Sequence, residues 1–300
     1  PFGDQVPMFG SWPGPPPGVK PVPAEDPGEA PTEAKTLMIS RNAALAVTAR
    51  WAFFACLISL LSACESRGIQ VQEYRILRTL PHDDLAYTQG LVYYDGFLYE
   101  STGRHGSSSV RKVDPETGEV LQIARLAQDH FGEGLARVGS ELYQLTWKAG
   151  QAFVYDLDSL QVQRTFQYEG DGWGLCFDGQ VLFMSNGTSR LQRRDPATFE
   201  VLDVLPVKEG GFSVRQLNEL ECVGDHLYAN IYMTDRIVRI DKATGDVVAE
   251  LDGFRLSAAS SRTPDPEAVL NGIAYNPETD TFYLTGKLWP DMFEVELVGG

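Results

Sequence analysis

Glu133 and Lys287 stand out as the single carboxylate and the single cation among ten residues that flank a repeated phrase in this 300-residue chain. The other eight are the amides Gln89, Asn218 and Asn271, the aromatics Trp147, Trp173 and Tyr232, and Gly103 and Gly187. A carboxylate can move protons, an ammonium and amides can steady a developing oxyanion, and aromatic walls exclude water. A purely structural repeat would carry similar residues at equivalent places, so this diversity reads as a pocket for a small molecule or a peptide end. The bland alternative is an exposed rim that tolerates variety.

Other chemistries are poorly provided for. His82, His105, His130 and His226 have no partner at ligand or triad spacing. His226 reads as an exposed turn residue, and His130, although near Glu133 in sequence, reads as a turn residue too. The chain has no Gly-rich phosphate loop, no nucleophile elbow and no metal-binding cluster. Catalysis would therefore rest on Glu133 and Lys287 with amide support, and no metal or cofactor is expected.

The elements that must position these residues are announced by the phrase itself: Gly plus an aliphatic, a short turn, then Leu-Tyr. It runs from Gly90-Leu91 to Leu98-Tyr99, Gly134-Leu135 to Leu142-Tyr143 and Gly174-Leu175 to Leu182-Phe183. It continues from Glu219-Leu220 to Leu227-Tyr228 and Gly272-Ile273 to Phe282-Tyr283. The second aromatics lie 44, 40, 45 and 55 residues apart. Periods of about 40–50 residues containing several short strands mark propeller blades.

Between phrases, Asp114-Pro115-Glu116-Thr117-Gly118, Asp156-Leu157-Asp158-Ser159, Asp195-Pro196-Ala197-Thr198 and Asp241-Lys242-Ala243-Thr244-Gly245 supply turn chemistry for a second strand pair. Each unit is thus a four-stranded antiparallel meander. The fifth unit ends one strand short, and Val71–Leu80 has no blade of its own, so it is expected to close the ring as that blade's outer strand. The reading is all-β: one five-bladed β-propeller over 71–298, with no helix of useful length. In such a ring, residues opening first strands and residues ending second strands meet at one end of the axis.

Bulk properties bound the partners. A net charge of −16 argues against nucleic acid and against electrostatic attraction to anionic membranes. A monomer is expected. Cys176 and Cys222 are read as two buried free thiols, although their nearly equivalent places in successive repeats leave a disulfide geometrically open.

The front of the chain reads differently. Residues 1–37 are rich in Pro, Gly, Ala and Glu and are expected to be disordered. Met38 begins a more sensible segment, and 1–37 is expected to be a misassigned upstream translation. Arg41 and Arg50, an apolar run from Trp51 to Leu61 and then Leu61-Ser62-Ala63-Cys64 make residues 38–63 a secretory signal. The last four residues resemble a bacterial lipobox, which implies lipidation of Cys64, a linker over 64–70 and a place in the cell envelope, on the periplasmic side of a bacterial membrane. The membrane would be touched only through that lipid. The alternative is a plain signal peptide with an incidental cysteine.

Several motifs together resemble one family. They are Tyr87-Thr88-Gln89-Gly90-Leu91, His130-Phe131-Gly132-Glu133-Gly134-Leu135, Leu145-Thr146-Trp147 and Gly172-Trp173-Gly174-Leu175. Leu217-Asn218-Glu219-Leu220-Glu221, Asn271-Gly272-Ile273-Ala274-Tyr275 and Thr285-Gly286-Lys287-Leu288-Trp289-Pro290 complete the set. The chain resembles the glutaminyl-peptide cyclotransferases of the plant and bacterial type over nearly all of 71–298. The resemblance implies a five-bladed propeller, conversion of an N-terminal glutamine to pyroglutamate with loss of ammonia, and independence of zinc. It implies catalytic roles for Glu133, Lys287 and Asn218, with Gln89, Tyr87, Phe131, Trp147, Trp173 and Tyr232 forming the pocket. Asn271 is added from its opening position. Tyr87 replaces the usual Phe, and Tyr232 stands where the plant enzyme has Trp, which bears on substrate preference. Glu133 is expected to shuttle the proton, with a pKa raised by Trp147 and Phe131. Lys287 and Asn218 would hold the oxyanion or the scissile amide, and Gln89 would orient the substrate. The rival readings are a non-catalytic propeller scaffold and a metal-dependent lactonase-type hydrolase; the latter would need an axial cluster of carboxylates and amides, where Glu133 is the one carboxylate and Lys287 would repel a cation.

Overall fold

The computed structural model describes residues 69–299. The expected disordered stretch, the signal segment and Cys64 lie outside the described residues. The chain enters as β1 (Gln70–Val71) and β2 (Glu73–Pro81). The first blade is β3 (Thr88–Tyr94), β4 (Phe97–Thr102), β5 (Ser109–Val113) and β6 (Val120–Arg125). The second is β7 (Gly132–Val138), β8 (Glu141–Thr146), β9 (Gln151–Asp156) and β10 (Val162–Gln167). The third is β11 (Leu175–Phe177), β12 (Leu182–Met184), β13 (Arg190–Arg194) and β14 (Val201–Pro206). A small hairpin, β15 (Lys208–Glu209) and β16 (Phe212–Ser213), precedes the fourth blade. That blade is β17 (Leu217–Val223), β18 (His226–Ile231), β19 (Arg236–Asp241) and β20 (Val247–Asp252). A short helix, α1 (Phe254–Ala259), leads to β21 (Leu270–Asn276), β22 (Thr281–Gly286) and β23 (Asp291–Val298).

Five antiparallel meanders thus make a five-bladed propeller, and β2 completes the last one by pairing antiparallel with β23 from Glu73↔Val298 to Pro81↔Asp291. The closing strand expected over Val71–Leu80 is therefore present, with one difference. Gln70 and Val71 pair parallel with β20 of the fourth blade instead. Gln72 forms the hinge between the two pairings. Its backbone N–H donates to Glu250 O at 2.7 Å, while its side chain donates to Val298 O at 3.0 Å. One buried residue thereby ties blades four and five together.

The repeated phrase explains the core. Strand side chains alternate in direction, so adjacent residues face opposite neighbours. Leu98 packs back against the fifth blade with Ala274 and Tyr283, whereas Tyr99 packs forward against Leu135 and Leu142 of the second. Leu142 and Tyr143, Leu182 and Phe183, and Leu227 and Tyr228 repeat the arrangement around the ring. The glycine of the phrase answers to crowding at the axis. A Cβ on Gly90 would sit 2.4 Å from Leu135 N, and one on Gly134 would sit 2.5 Å from Leu175 N. Where Glu219 stands in place of that glycine, its carboxylate accepts from Leu91 N at 3.3 Å and Ile273 N at 3.0 Å, linking three blades. The recurring Asp at the end of the third strand in the first four blades caps its turn: Asp241 Oδ1 accepts from Ala243 and Thr244 N–H at 2.9 and 2.8 Å.

Cys176 and Cys222 form a disulfide, correcting the expectation of free thiols. Their Cα atoms are 5.5 Å apart, within bonding geometry. The physical reason is strand parity. Cys176 is two residues past Gly174 and Cys222 three past Glu219, so one side chain faces forward and the other back. The same one-residue offset that makes their places only nearly equivalent turns the two sulfurs toward each other across the blade seam.

Candidate active site

At the opening of four of the five blades the ladder between the first two strands slips. The irregularities fall between Thr88 and Gly90, Gly132 and Leu135, Leu217 and Leu220, and Leu270 and Ile273. They bracket Gln89, Glu133, Asn218 and Asn271. A bulge frees a residue from the ladder and re-aims its side chain. The same local break in pairing thus recurs at each polar opening residue. In the third blade Trp173 lies just ahead of β11, its N–H bonded to Ser185 O at 3.0 Å.

These side chains converge on a cavity of about 200 Å³. Its polar floor is Glu133, Gln89, Lys287 and Asn218, and its walls are Tyr87, Phe131, Trp147, Trp173 and Tyr232. All nine were expected there. Phe131 sits edge-on to both Tyr87 and Trp147, with centroids 6.0 and 5.7 Å apart, and Trp173 sits edge-on to Tyr232 at 5.6 Å. Interlocked edges of this kind keep the walls rigid.

Asn271 is the exception. It is fully buried behind the floor and does not line the cavity. Its Nδ2 donates to Thr88 O at 2.9 Å and approaches Gln89 Oε1 at 3.5 Å, so it braces Gln89 and does not face a ligand. Its expected contact with substrate is corrected accordingly. Gly272, which follows Asn271, adopts φ +123°, a backbone setting that the glycines at the other openings lack.

Lys287 donates to Gln89 Oε1 at 2.7 Å, and Gln89 Nε2 donates to Glu133 Oε1 at 3.2 Å. Lys287 also lies over the rings of Tyr87 and Tyr232, at 4.5 and 5.2 Å. Burial pushes the Glu133 carboxyl well above the usual carboxylate range, with Lys287 opposing and Asp171 adding to the rise. Burial likewise pulls Lys287 down to about 8, although Glu133 and Glu267 resist. A carboxyl group with a raised pKa and an amine with a lowered one can both exchange protons near neutrality. The Asn218 backbone oxygen is held by Ser185 Oγ at 2.7 Å. Its side-chain amide has no hydrogen-bond partner among the described residues.

Beneath the floor lies a second polar layer. Glu100 accepts from Thr88 Oγ1 at 2.7 Å, pairs with Arg111, and contacts His82 Nε2 at 3.0 Å. Burial alone would raise the Glu100 carboxyl, but Arg111 and His82 outweigh it and hold it well below the carboxylate range. This network anchors the start of β3, where Gln89 stands. His130 meets Gln151 at 3.2 Å and Asp129 at 3.0 Å and stays a turn residue, as expected.

Two lining residues escaped the sequence reading: Arg104 and Glu267. Arg104 directly follows the exit glycine Gly103, just as Lys148 follows Trp147, so position could have flagged it. Glu267 belongs to the segment that stretches the last repeat spacing to 55 residues. An insertion placed ahead of an opening residue was the available signal.

A profile of the glutamine cyclotransferase family matches residues 51–297. The chain belongs to that family. It is 40% identical over 231 residues to a glutaminyl-peptide cyclotransferase of Arabidopsis thaliana, covering 76% of this chain and 72% of the relative. The crystal structure of Myxococcus xanthus glutaminyl cyclase superposes with a TM-score of 0.73 at 40% identity, covering 76% of this chain and 98% of that one. Membership in the glutamine cyclotransferase family agrees with the family resemblance carried by the motifs and with the propeller architecture.

Proposed function

We propose that this chain is a glutaminyl-peptide cyclotransferase that converts an N-terminal glutamine to pyroglutamate and releases ammonia. The observation that carries the reading is the Glu133–Gln89–Lys287 chain of hydrogen bonds on the floor of an aromatic-walled cavity. In the reaction the α-amine nitrogen bonds to the side-chain amide carbon, and the bond from that carbon to the amide nitrogen breaks. The attacking atom is already tethered, so the protein has to hold the bent conformer and move one proton. Glu133 as carboxylate takes the proton from the attacking amine and hands it to the departing nitrogen, which leaves as ammonia. Lys287 and the free amide of Asn218 stabilise the oxyanion of the tetrahedral intermediate. Gln89 fixes Lys287 and Glu133 relative to one another, and the five aromatics enclose the substrate. Mass spectrometry of a Gln-initiated peptide, with a coupled ammonia assay, tests this. Loss of one ammonia with wild type and not with Glu133→Gln is expected; turnover unaffected by Glu133→Gln overturns the assignment.

We further propose that the protein is exported and held to a membrane of the cell envelope by lipid on Cys64. Leu61-Ser62-Ala63-Cys64 after a short apolar run supports this, and the Cys176–Cys222 disulfide suits an oxidising compartment. Intact-mass analysis of the membrane fraction should find a mature chain starting at an acylated Cys64. Membrane retention of Cys64→Ser would overturn it.

A further inference from the structure

The mouth of the cavity is spanned by a long ion pair. Arg104 Nη2 lies 3.7 Å from Glu267 Oε2 and 3.9 Å from Asp265 Oδ2, and its guanidinium covers the Tyr87 ring at 4.8 Å. At those separations neither the guanidinium donors nor the Glu267 oxygens are consumed by each other. The two residues come from different blades. Arg104 stands between the second and third strands of the first, Glu267 ahead of the fifth.

Both are held from beneath. Arg104 has φ +87°, a left-handed setting costly for a side-chain-bearing residue, and its carbonyl is pinned by Ser107 N at 3.1 Å, Ser108 N at 2.9 Å and Ser108 Oγ at 2.7 Å. Glu267 sits on a turn whose N–H bonds to Asp265 Oδ1 at 2.8 Å. The next residue's carbonyl, Ala268 O, accepts from Arg262 at 2.6 Å and from Trp289 Nε1 at 3.0 Å. The turn also continues to the site floor, since Lys287 N donates to Val269 O at 2.9 Å. Strain and bracing at two otherwise exposed side chains are the marks of groups placed for contact.

We propose that Arg104 and Glu267 clamp the peptide bond that follows the substrate's first residue, the guanidinium donating to its carbonyl oxygen and the carboxylate accepting from its N–H. The proposal rests on the cyclotransferase reading above. With the reacting amine and side-chain amide on the floor, the first group to emerge from the cavity is that peptide bond. An amide offers one acceptor and one donor on opposite edges, so it enters between these two exposed side chains by parting them from the 3.7 Å at which they stand. Free glutamine offers a carboxylate there instead: it keeps the attraction to Arg104, lacks the N–H, and is repelled by Glu267. The clamp makes these two residues determinants of preference for chains over the free amino acid.

The test is steady-state ammonia release from Gln-Ala-amide and from free glutamine, using wild type, Glu267→Ala, Glu267→Gln and Arg104→Ala. Glu267→Ala should lower kcat/KM for the peptide about tenfold, chiefly through KM, the loss expected for one hydrogen bond to a charged group. The same variant should raise kcat/KM for free glutamine. Glu267→Gln, which keeps the acceptor and sheds the charge, should recover most of the peptide loss. Arg104→Ala should weaken both substrates. Equal factors for both substrates in Glu267→Ala, or no change in either, overturn the clamp while leaving the activity standing. No ammonia from either substrate with wild type overturns the activity and the clamp together.

Discussion

The Lys287 ammonium lies 2.7 Å from the side-chain oxygen of Gln89, and because an ammonium can only donate, this contact decides which way the Gln89 amide points. Its NH₂ group is thereby aimed at Glu133, 3.2 Å away. One neutral side chain couples the two titratable groups of the site and holds them apart.

This coupling sets the pH dependence. Glu133 must be ionised to take a proton, and its pKa is raised by burial, so kcat/KM should climb as pH passes above that value. Lys287, lowered to about 8, loses its charge above that point, so an alkaline limb should appear near pH 8. In Lys287→Arg the cation persists to much higher pH, and the limb should move away. A limb that stays near pH 8 in that variant would remove Lys287 as its source.

Glu133→Gln should lower kcat by about two to four orders of magnitude, the usual contribution of a positioned proton carrier. Stability should move the other way. A carboxyl group whose folded pKa is raised burdens the folded state only once pH exceeds its unfolded value, and the burden is complete above the folded one. At pH 9 the variant should therefore be more stable, by about 1 kcal/mol. That advantage should vanish toward pH 4. Urea unfolding at the two pH values checks the sign.

Gln89→Leu keeps the volume and deletes both hydrogen bonds. Buried Glu133 and Lys287 then each lose an amide partner, and Asn271 Nδ2 loses its approach to Gln89 Oε1. A cost of about 1–3 kcal/mol in unfolding free energy is expected, together with a fall in kcat of at least about tenfold. Undiminished kcat would mean that Gln89 organises nothing.

The Cys176–Cys222 bond closes a stretch of 46 residues across two blades. Chain entropy assigns such a loop roughly 4 kcal/mol. The double variant Cys176→Ala/Cys222→Ala should lose about that much in denaturant unfolding. Ammonia release at 25 °C should persist, since neither cysteine lines the cavity. Equal stability with and without reductant in the parent protein would contradict the prediction.

Much of the ring was legible because a propeller repeats itself in the chain. The Leu-Tyr phrase encodes blade contacts through alternation, with Leu98 facing one neighbour and Tyr99 the other. The Asp-led turns encode the outer hairpins. Seven of the site's nine floor and wall residues were legible for the converse reason: they interrupt the repeat at equivalent places, whereas Tyr87 and Phe131 were given only by the family resemblance. Glu267 was not legible, since it lies in an insertion outside the repeat register, and Arg104 was passed over although it directly follows an exit position. Asn271 misled because its place in the register is right but its amide is taken up by Thr88 O and Gln89 Oε1. The disulfide was missed although the one-residue offset of its cysteines carried the clue.

The sequence by itself determined the number of blades, the strand that closes them and the residues gathered at one end of the axis. These follow from local periodicity: side-chain alternation and turn chemistry act over a few residues and repeat. Only the tertiary structure decided what those residues do to one another. The raised Glu133 and the lowered Lys287 arise from burial shared among several blades. The Lys287–Gln89–Glu133 chain joins the fifth, first and second blades, and the Arg104–Glu267 span bridges first and fifth. Such distances depend on how the ring closes, and closure is a property of the whole chain.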